Sequence, residues 1–235
     1  VLEWEGNRLK TIVERQNWFY HVTRGLDGET TLYGQKKGDD INTFGFSRLF
    51  DGGVYSLAWR DGQYETELRQ ALPRGTNILS MAYGDAIEDS ERTILSYNRE
   101  YRLDLFDTGG DAIWTSEAYQ GTRNIYIDQK PEDLFKSDNT NTKRTYLPHR
   151  ILVADLNANG QREIIVPYNE ETLASLSRTK LFKNGFVQGL EWNGLGMAPA
   201  WKTDPAAKFL ADVNIGDVDN DGVQDLVYAI VTKTS

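Results

Sequence analysis

Asp217-Val218-Asp219-Asn220-Asp221-Gly222-Val223-Gln224-Asp225 runs directly into Leu226-Val227-Tyr228-Ala229-Ile230-Val231. Carboxylates at the first, third and fifth positions of a tight loop converge on one point, and Gly at the sixth permits the sharp backbone turn. Val223, at the seventh, would supply a carbonyl oxygen, and Asp225, at the ninth, a further carboxylate. Without a cation these acids repel one another at close range. Hard oxygen ligands gathered this densely suit Ca²⁺, which accepts six to eight of them. The expected ligands are therefore Asp217, Asp219, Asp221, Val223 and Asp225. The run after the loop is rich in β-branched and aromatic residues, and Tyr228 occupies the place where a helix-flanked calcium loop carries a bidentate Glu. An EF-hand is accordingly a poor fit. The loop joins strands.

The same spacing recurs upstream as Asp155-Leu156-Asn157-Ala158-Asn159-Gly160-Gln161-Arg162-Glu163, again followed by an apolar run, Ile164-Ile165-Val166. Two readings of this copy stand. Asp155, Asn157, Asn159, Gln161 and Glu163 form a weaker calcium site, since neutral Asn oxygens attract a cation less. Or the segment is an Asx-rich turn closed by side-chain to backbone hydrogen bonds. A degenerate third copy, at Asp85, Ile87, Asp89 and Glu91, lacks the Gly and one oxygen ligand, and reads as a metal-free turn.

Hairpin signatures alternate with these loops. Tyr55–Trp59 and Gln63–Leu68 flank an Asp61-Gly62 turn, the strongest short-range hairpin signal. Leu2-Glu3-Trp4-Glu5-Gly6-Asn7 and Leu190-Glu191-Trp192-Asn193-Gly194 repeat the shape, and Leu103–Trp114 is a looser copy. A loop pair plus a hairpin makes about four short strands, the composition of a propeller blade. The repeat is longer than the roughly 40–50 residues of compact propeller repeats, which loop insertions would explain. The expected fold is all-β, a β-propeller or propeller-like array of about four blades in a single domain over residues 1–235. The final Asp217–Val231 unit lacks a following hairpin, and Leu2–Asn7 lacks a preceding loop pair. Strands from both termini would then complete one blade and cover edges that otherwise invite aggregation. A polar stretch at about 121–150 reads as a surface insertion, and Asn169 to Leu181 as a turn or two of helix.

The two loops with their following apolar strands resemble FG-GAP or VCBS repeats, the calcium-loop repeats of integrin α-subunit propellers and of many bacterial extracytoplasmic propellers. The likeness covers about residues 151–235. The Phe-Gly of the name is absent, with Ala154 and Gly216 preceding the key Asp residues. The resemblance implies a structural calcium at each blade edge and a periplasmic, cell-surface or secreted location. It also implies a binding scaffold for a protein or glycan ligand. Two other classes remain: a propeller-type carbohydrate-active enzyme (polysaccharide lyase or hydrolase), and a purely structural domain of a larger envelope protein.

Composition narrows the classes further. Twenty-six basic against 35 acidic residues give a net charge of −9, which disfavours general nucleic-acid binding. The absence of Cys removes disulfides, thiolate metal sites and Cys nucleophiles. No apolar run is long enough to span a membrane as a helix. The catalytic inventory is thin and points away from an enzyme. His21 and His149 stand far apart, Gly45–Leu49 lacks the closing Gly of a nucleophile elbow, and no phosphate-binding Gly-rich loop occurs. Trp4, Trp59, Trp114, Trp192 and Trp201 read as core packing ahead of a sugar platform, because aromatics dominate core burial.

Overall fold

The computed structural model describes residues 1–14, 16–38, 48–87, 92–117, 122–129, 143–172, 180–207 and 209–232. The described secondary structure is antiparallel β apart from one 3-10 turn at Ile78–Ser80. The chain opens with a hairpin, β1 (Leu2–Glu5) and β2 (Arg8–Thr11). A four-stranded meander follows: β3 (Trp18–Arg24), β4 (Thr30–Lys36), β5 (Val54–Arg60) and β6 (Gln63–Arg69). The second meander is β7 (Ala82–Gly84), β8 (Thr93–Tyr97), β9 (Leu103–Phe106) and β10 (Ala112–Thr115). A separate hairpin, β11 (Thr122–Gln129) and β12 (Lys143–Pro148), precedes the third meander. That sheet contains β13 (Leu152–Ala154), β14 (Glu163–Glu171), β15 (Phe182–Trp192) and β16 (Met197–Lys202), with β17 (Ala206–Ala207) pairing onto β15. The last pair is β18 (Phe209–Gly216) and β19 (Asp225–Val231).

Local sequence accounts for the turns. Arg60 pairs with Gln63 across Asp61-Gly62, both with positive φ (49° and 81°), the backbone that a two-residue hairpin of matching twist requires. In each meander the last two strands are joined by a short connection, at 61–62, 107–111 and 193–196.

Three apolar clusters stack the sheets in series. Tyr33 and Val54 of the first meander meet Tyr83, Ile94 and Phe106 of the second. The other face of the second meander, with Leu95, Tyr97, Leu103 and Leu105, meets Ile164, Val166 and Leu190 of the third. Ile165 and Val187, on the far face of the third, meet Leu210 and Val213 of β18. Neighbouring residues Ile94 and Leu95, or Ile164 and Ile165, thus serve opposite cores. Strands covered on both faces lose hydrophobic alternation and read as continuous apolar runs. All of Thr93–Tyr97 is buried.

Several expectations change. Among the described residues, the terminal pairs β1–β2 and β18–β19 each pair only internally, so the strand sharing between the two ends is not made there, and no strand pairing closes a barrel. Every residue of β1 and β2 is exposed. The ends of the 121–150 stretch form a hairpin of their own, because alternating Tyr126 and Tyr146 pair across it with rings 5.5 Å apart; its middle lies outside the described residues. Asn169–Glu171 completes β14 instead of starting a helix, and residues 173–179 lie outside the described residues. Asn169 is held extended by its buried side chain, which accepts from Leu210 N (2.8 Å), donates to Leu210 O (3.0 Å) and bonds His149 Nε2 (2.8 Å).

Candidate metal centre

The two loops fold alike to the level of individual hydrogen bonds. In the β18–β19 loop, Asp221 N donates to Asp217 Oδ1 (3.1 Å) and Asp219 Oδ1 (3.2 Å), and Gly222 N to Asp217 Oδ2 (2.9 Å). Val223 N donates to Asp221 Oδ1 (2.7 Å), and Val218 N to Asp225 Oδ2 (3.0 Å). In the β13–β14 loop, Asn159 N donates to Asp155 Oδ1 (3.1 Å) and Asn157 Oδ1 (3.0 Å), and Gly160 N to Asp155 Oδ2 (3.0 Å). Gln161 N donates to Asn159 Oδ1 (2.8 Å), and Leu156 N to Glu163 Oε2 (2.9 Å). Backbone signs match as well. Asn220 and Gly222 have φ of 61° and 89°, and Ala158 and Gly160 have 55° and 90°. Left-handed backbone at two places brings successive amides inward, and the short Asp and Asn side chains accept them.

The loops differ in charge and in what surrounds them. Asp217, Asp219 and Asp225 each bring a carboxylate oxygen within 4.8 Å of the others, an arrangement that could hold a metal ion. Asp221 is outside that group, and Val223 enters through its backbone. Among the described residues no ion pair reaches any of these four acids, so their mutual repulsion has no basic counterweight. An exposed oxygen-only donor set of this kind fits a hard cation.

The β13–β14 loop brings together no comparable carboxylate group among the described residues. Asn157 Nδ2 and Asn159 Nδ2 both donate to Glu191 Oε1 at 2.8 Å, which fixes their amides from the β15 side. Glu163 is fully buried, with Oε2 on Leu156 N and Oε1 accepting from Trp201 Nε1 at 3.1 Å. In the degenerate copy, Asp85 lies 4.0 Å from Arg92, and residues 88–91 lie outside the described set.

Glu191 belongs to a hairpin signature and Trp201 to the set of tryptophans read as core, but nothing in their sequence context marks either as a partner of a loop more than thirty positions upstream. His149 is fully buried against Asn169, and burial pushes the His21 imidazole down while the Met81 backbone bonds it. Trp114 and Trp192 pack on the central core and Trp201 on the last one. Trp4 and Trp59 are 66 % and 43 % exposed, so the core-packing expectation fails for these two.

Searches of protein-family models and of curated proteins return no match to this chain.

Proposed function

We propose that this chain is a calcium-stabilised, propeller-type scaffold of the FG-GAP/VCBS kind that binds a protein or glycan ligand outside the cytoplasm and is not itself catalytic. The observation that carries it is the pair of loops with five equivalent hydrogen bonds each. Shared backbone geometry supports an internal repeat, and the uncompensated Asp217, Asp219 and Asp225 group supports a cation at one copy. The meanders β3–β6, β7–β10 and β13–β16, packed face to face in order, support blade-like units. Ca²⁺ fits the site better than softer ions because every donor is oxygen. The ion's role is to tie β18 to β19 at the loop.

The test is a melting series in Ca²⁺, in Mg²⁺ and in chelator, coupled to a ligand panel of envelope proteins and polysaccharides assayed both for retention and for turnover. Calcium-dependent melting together with retained, uncleaved ligand is the expected result. Turnover of any polysaccharide overturns the non-catalytic reading. One feature favours that second reading: Asp104, whose carboxyl burial pushes above the usual range, lines a cavity of about 470 Å³ with Arg99, Arg102 and Glu100. A carboxyl that burial shifts upward beside a cleft is the raw material of a general acid.

A further inference from the structure

In an antiparallel meander the first and third connections lie at one end and the second at the other. The loops containing Asp155 and Asp85 and the tight Asp61-Gly62 and Asn193-Gly194 turns all belong to the first kind. The second kind, 37–53, 98–102 and 172–181, includes the long connections, and the links between successive meanders leave from the same end. Long loops on a rigid scaffold are where binding residues concentrate.

These elaborated connections meet. A cavity of about 250 Å³ is walled by Asp51 from the β4–β5 connection, Gly75 from the β6–β7 link, Arg99 and Tyr101 from the β8–β9 turn, and Arg144 and Tyr146 from β12. Lys180, from the β14–β15 connection, donates its backbone N–H to Tyr146 Oη (3.3 Å), and its ammonium stands 5.8 Å and 5.1 Å from the Tyr101 and Tyr146 ring centres.

The charge here opposes that of the whole chain. Asp51, with only 8 % of its side chain exposed, takes three guanidinium groups: Arg48 at 3.0 Å, Arg74 at 3.2 Å, and Arg99. Three cations on one anion leave a local surplus of two positive charges on a protein of net −9. Among the described residues, the other charged groups nearby are paired: Arg144 with Asp128 (3.1 Å), Lys180 with Glu171, and Arg102 with Glu100 (3.3 Å). Arg99 keeps further N–H donors, since a guanidinium has five. It is also seated. A Cβ on Gly75 would come within 2.8 Å of Arg99 Nε, so only glycine, here at φ 92°, lets the guanidinium lie on the backbone.

Tyr101 has φ 59°, a left-handed conformation that disfavours a bulky side chain. Asn98 enforces it. Its Oδ1 accepts from Glu100 N (2.9 Å) and Arg102 N (3.1 Å), and its carbonyl oxygen accepts from Tyr101 N (3.0 Å). Backbone strain persists where the surroundings hold it, and it clusters at ligand sites. Burial pushes the Tyr101 hydroxyl up to about 12, so it remains a neutral donor.

The geometry points to this cavity as a binding site for an acidic sugar residue, its carboxylate on Arg99 and its ring against the wall that Tyr101 and Tyr146 form. A guanidinium fork matches a carboxylate in plane, and tyrosine faces suit the apolar side of a sugar ring while the hydroxyls find polar side chains. The volume lies just below the roughly 300–1,000 Å³ usual for ligand pockets, room for one ring. An acidic peptide would need an extended groove or sheet edge for its backbone, and this cavity is compact. The assignment rests on the binding-scaffold reading above and supplies its ligand class.

The experiment is calorimetric titration of the full chain, in Ca²⁺, with three probes: a tetragalacturonate, a neutral cellotetraose, and a tetraglutamate peptide of equal charge. Tetragalacturonate is expected to bind, cellotetraose at least tenfold more weakly. Arg99→Gln should weaken the acidic sugar at least tenfold, and Arg99→Lys, which keeps the charge and the Asp51 pair but loses the fork, should recover it only in part. Equal binding of the neutral sugar, preference for the glutamate peptide, or indifference to both Arg99 variants would overturn the assignment and leave a scaffold with another ligand. Cleavage of the tetragalacturonate with Arg99-dependent binding would support the site and overturn the non-catalytic reading instead.

Discussion

Trp201 Nε1 donates to Glu163 Oε1 at 3.1 Å, and this bond separates two loops that the sequence writes in the same pattern. At the ninth position of the β13–β14 loop, the indole occupies a carboxylate oxygen that Asp225, in the β18–β19 loop, still offers to its neighbours. One carboxylate is committed to the core; the other belongs to an exposed acidic group.

Calcium at saturation should raise the melting temperature. A ligand at a hundred times its dissociation constant contributes about 2.7 kcal/mol, which for a chain of this size corresponds to roughly 5–10 °C. Asp219→Ala should abolish the rise, whereas Asn157→Ala should leave it in place. Scanning calorimetry with and without chelator reads both. A rise that survives Asp219→Ala but disappears with Asn157→Ala would move the site to the other loop.

Trp201→Phe keeps most of the ring and removes the donor. It leaves a buried Glu163 oxygen without its partner, at a cost of about 1–3 kcal/mol. The loss should be the same in Ca²⁺ and in chelator when followed by urea denaturation. An unchanged midpoint would mean the bond contributes nothing.

Gly189 lies under the same indole. A Cβ there would stand 2.4 Å from Trp201 Nε1 and Cε2, so Gly189→Ala must displace a large rigid ring. Overpacking of this kind costs about 1–3 kcal/mol. Pairing Gly189→Ala with Trp201→Phe should be strongly non-additive in a double-mutant cycle, because both act on one contact.

Asp104 and His21 set the pH dependence from opposite sides. Burial raises the Asp104 carboxyl above its ordinary 3.8 against bonds from Thr115 and Asn98, so its folded-state preference for the proton is fully felt below that value and lost as pH rises. Once deprotonated, its charge sits in a half-buried place. Asp104→Asn should therefore stabilise at pH 7, with the gain fading as the pH approaches the ordinary aspartate range.

For His21 the folded value is lowered below 6.5, mainly by burial. The unfolded chain binds the proton more readily, so the stability tied to its neutral form is whole above 6.5 and falls as the pH drops beneath it. His21→Gln should flatten the fall between pH 7 and 5 in denaturation midpoints. An unaltered slope would remove His21 from the account.

The residue pattern by itself determined the turns and the loops. Asp61-Gly62 needs no distant partner to form a two-residue hairpin, and Asp217 to Asp225 needs none to fold its acids onto neighbouring amides, since every bond is made within the segment. That locality is why the β13–β14 and β18–β19 loops, and the all-β class they imply, were legible. Three things depended on tertiary structure. Glu163 became a buried hydrogen-bond acceptor because Trp201 arrives from another strand. The apolar runs at Ile94–Leu95 and Ile164–Ile165 became two-faced because sheets cover both sides, which no period in the sequence announces. Arg48, Arg74 and Arg99 met on Asp51 from three separate connections. Short-range hydrogen bonding is encoded within a few residues. Charge and packing at a junction depend on chain ends and loops that only the assembled sheets bring side by side.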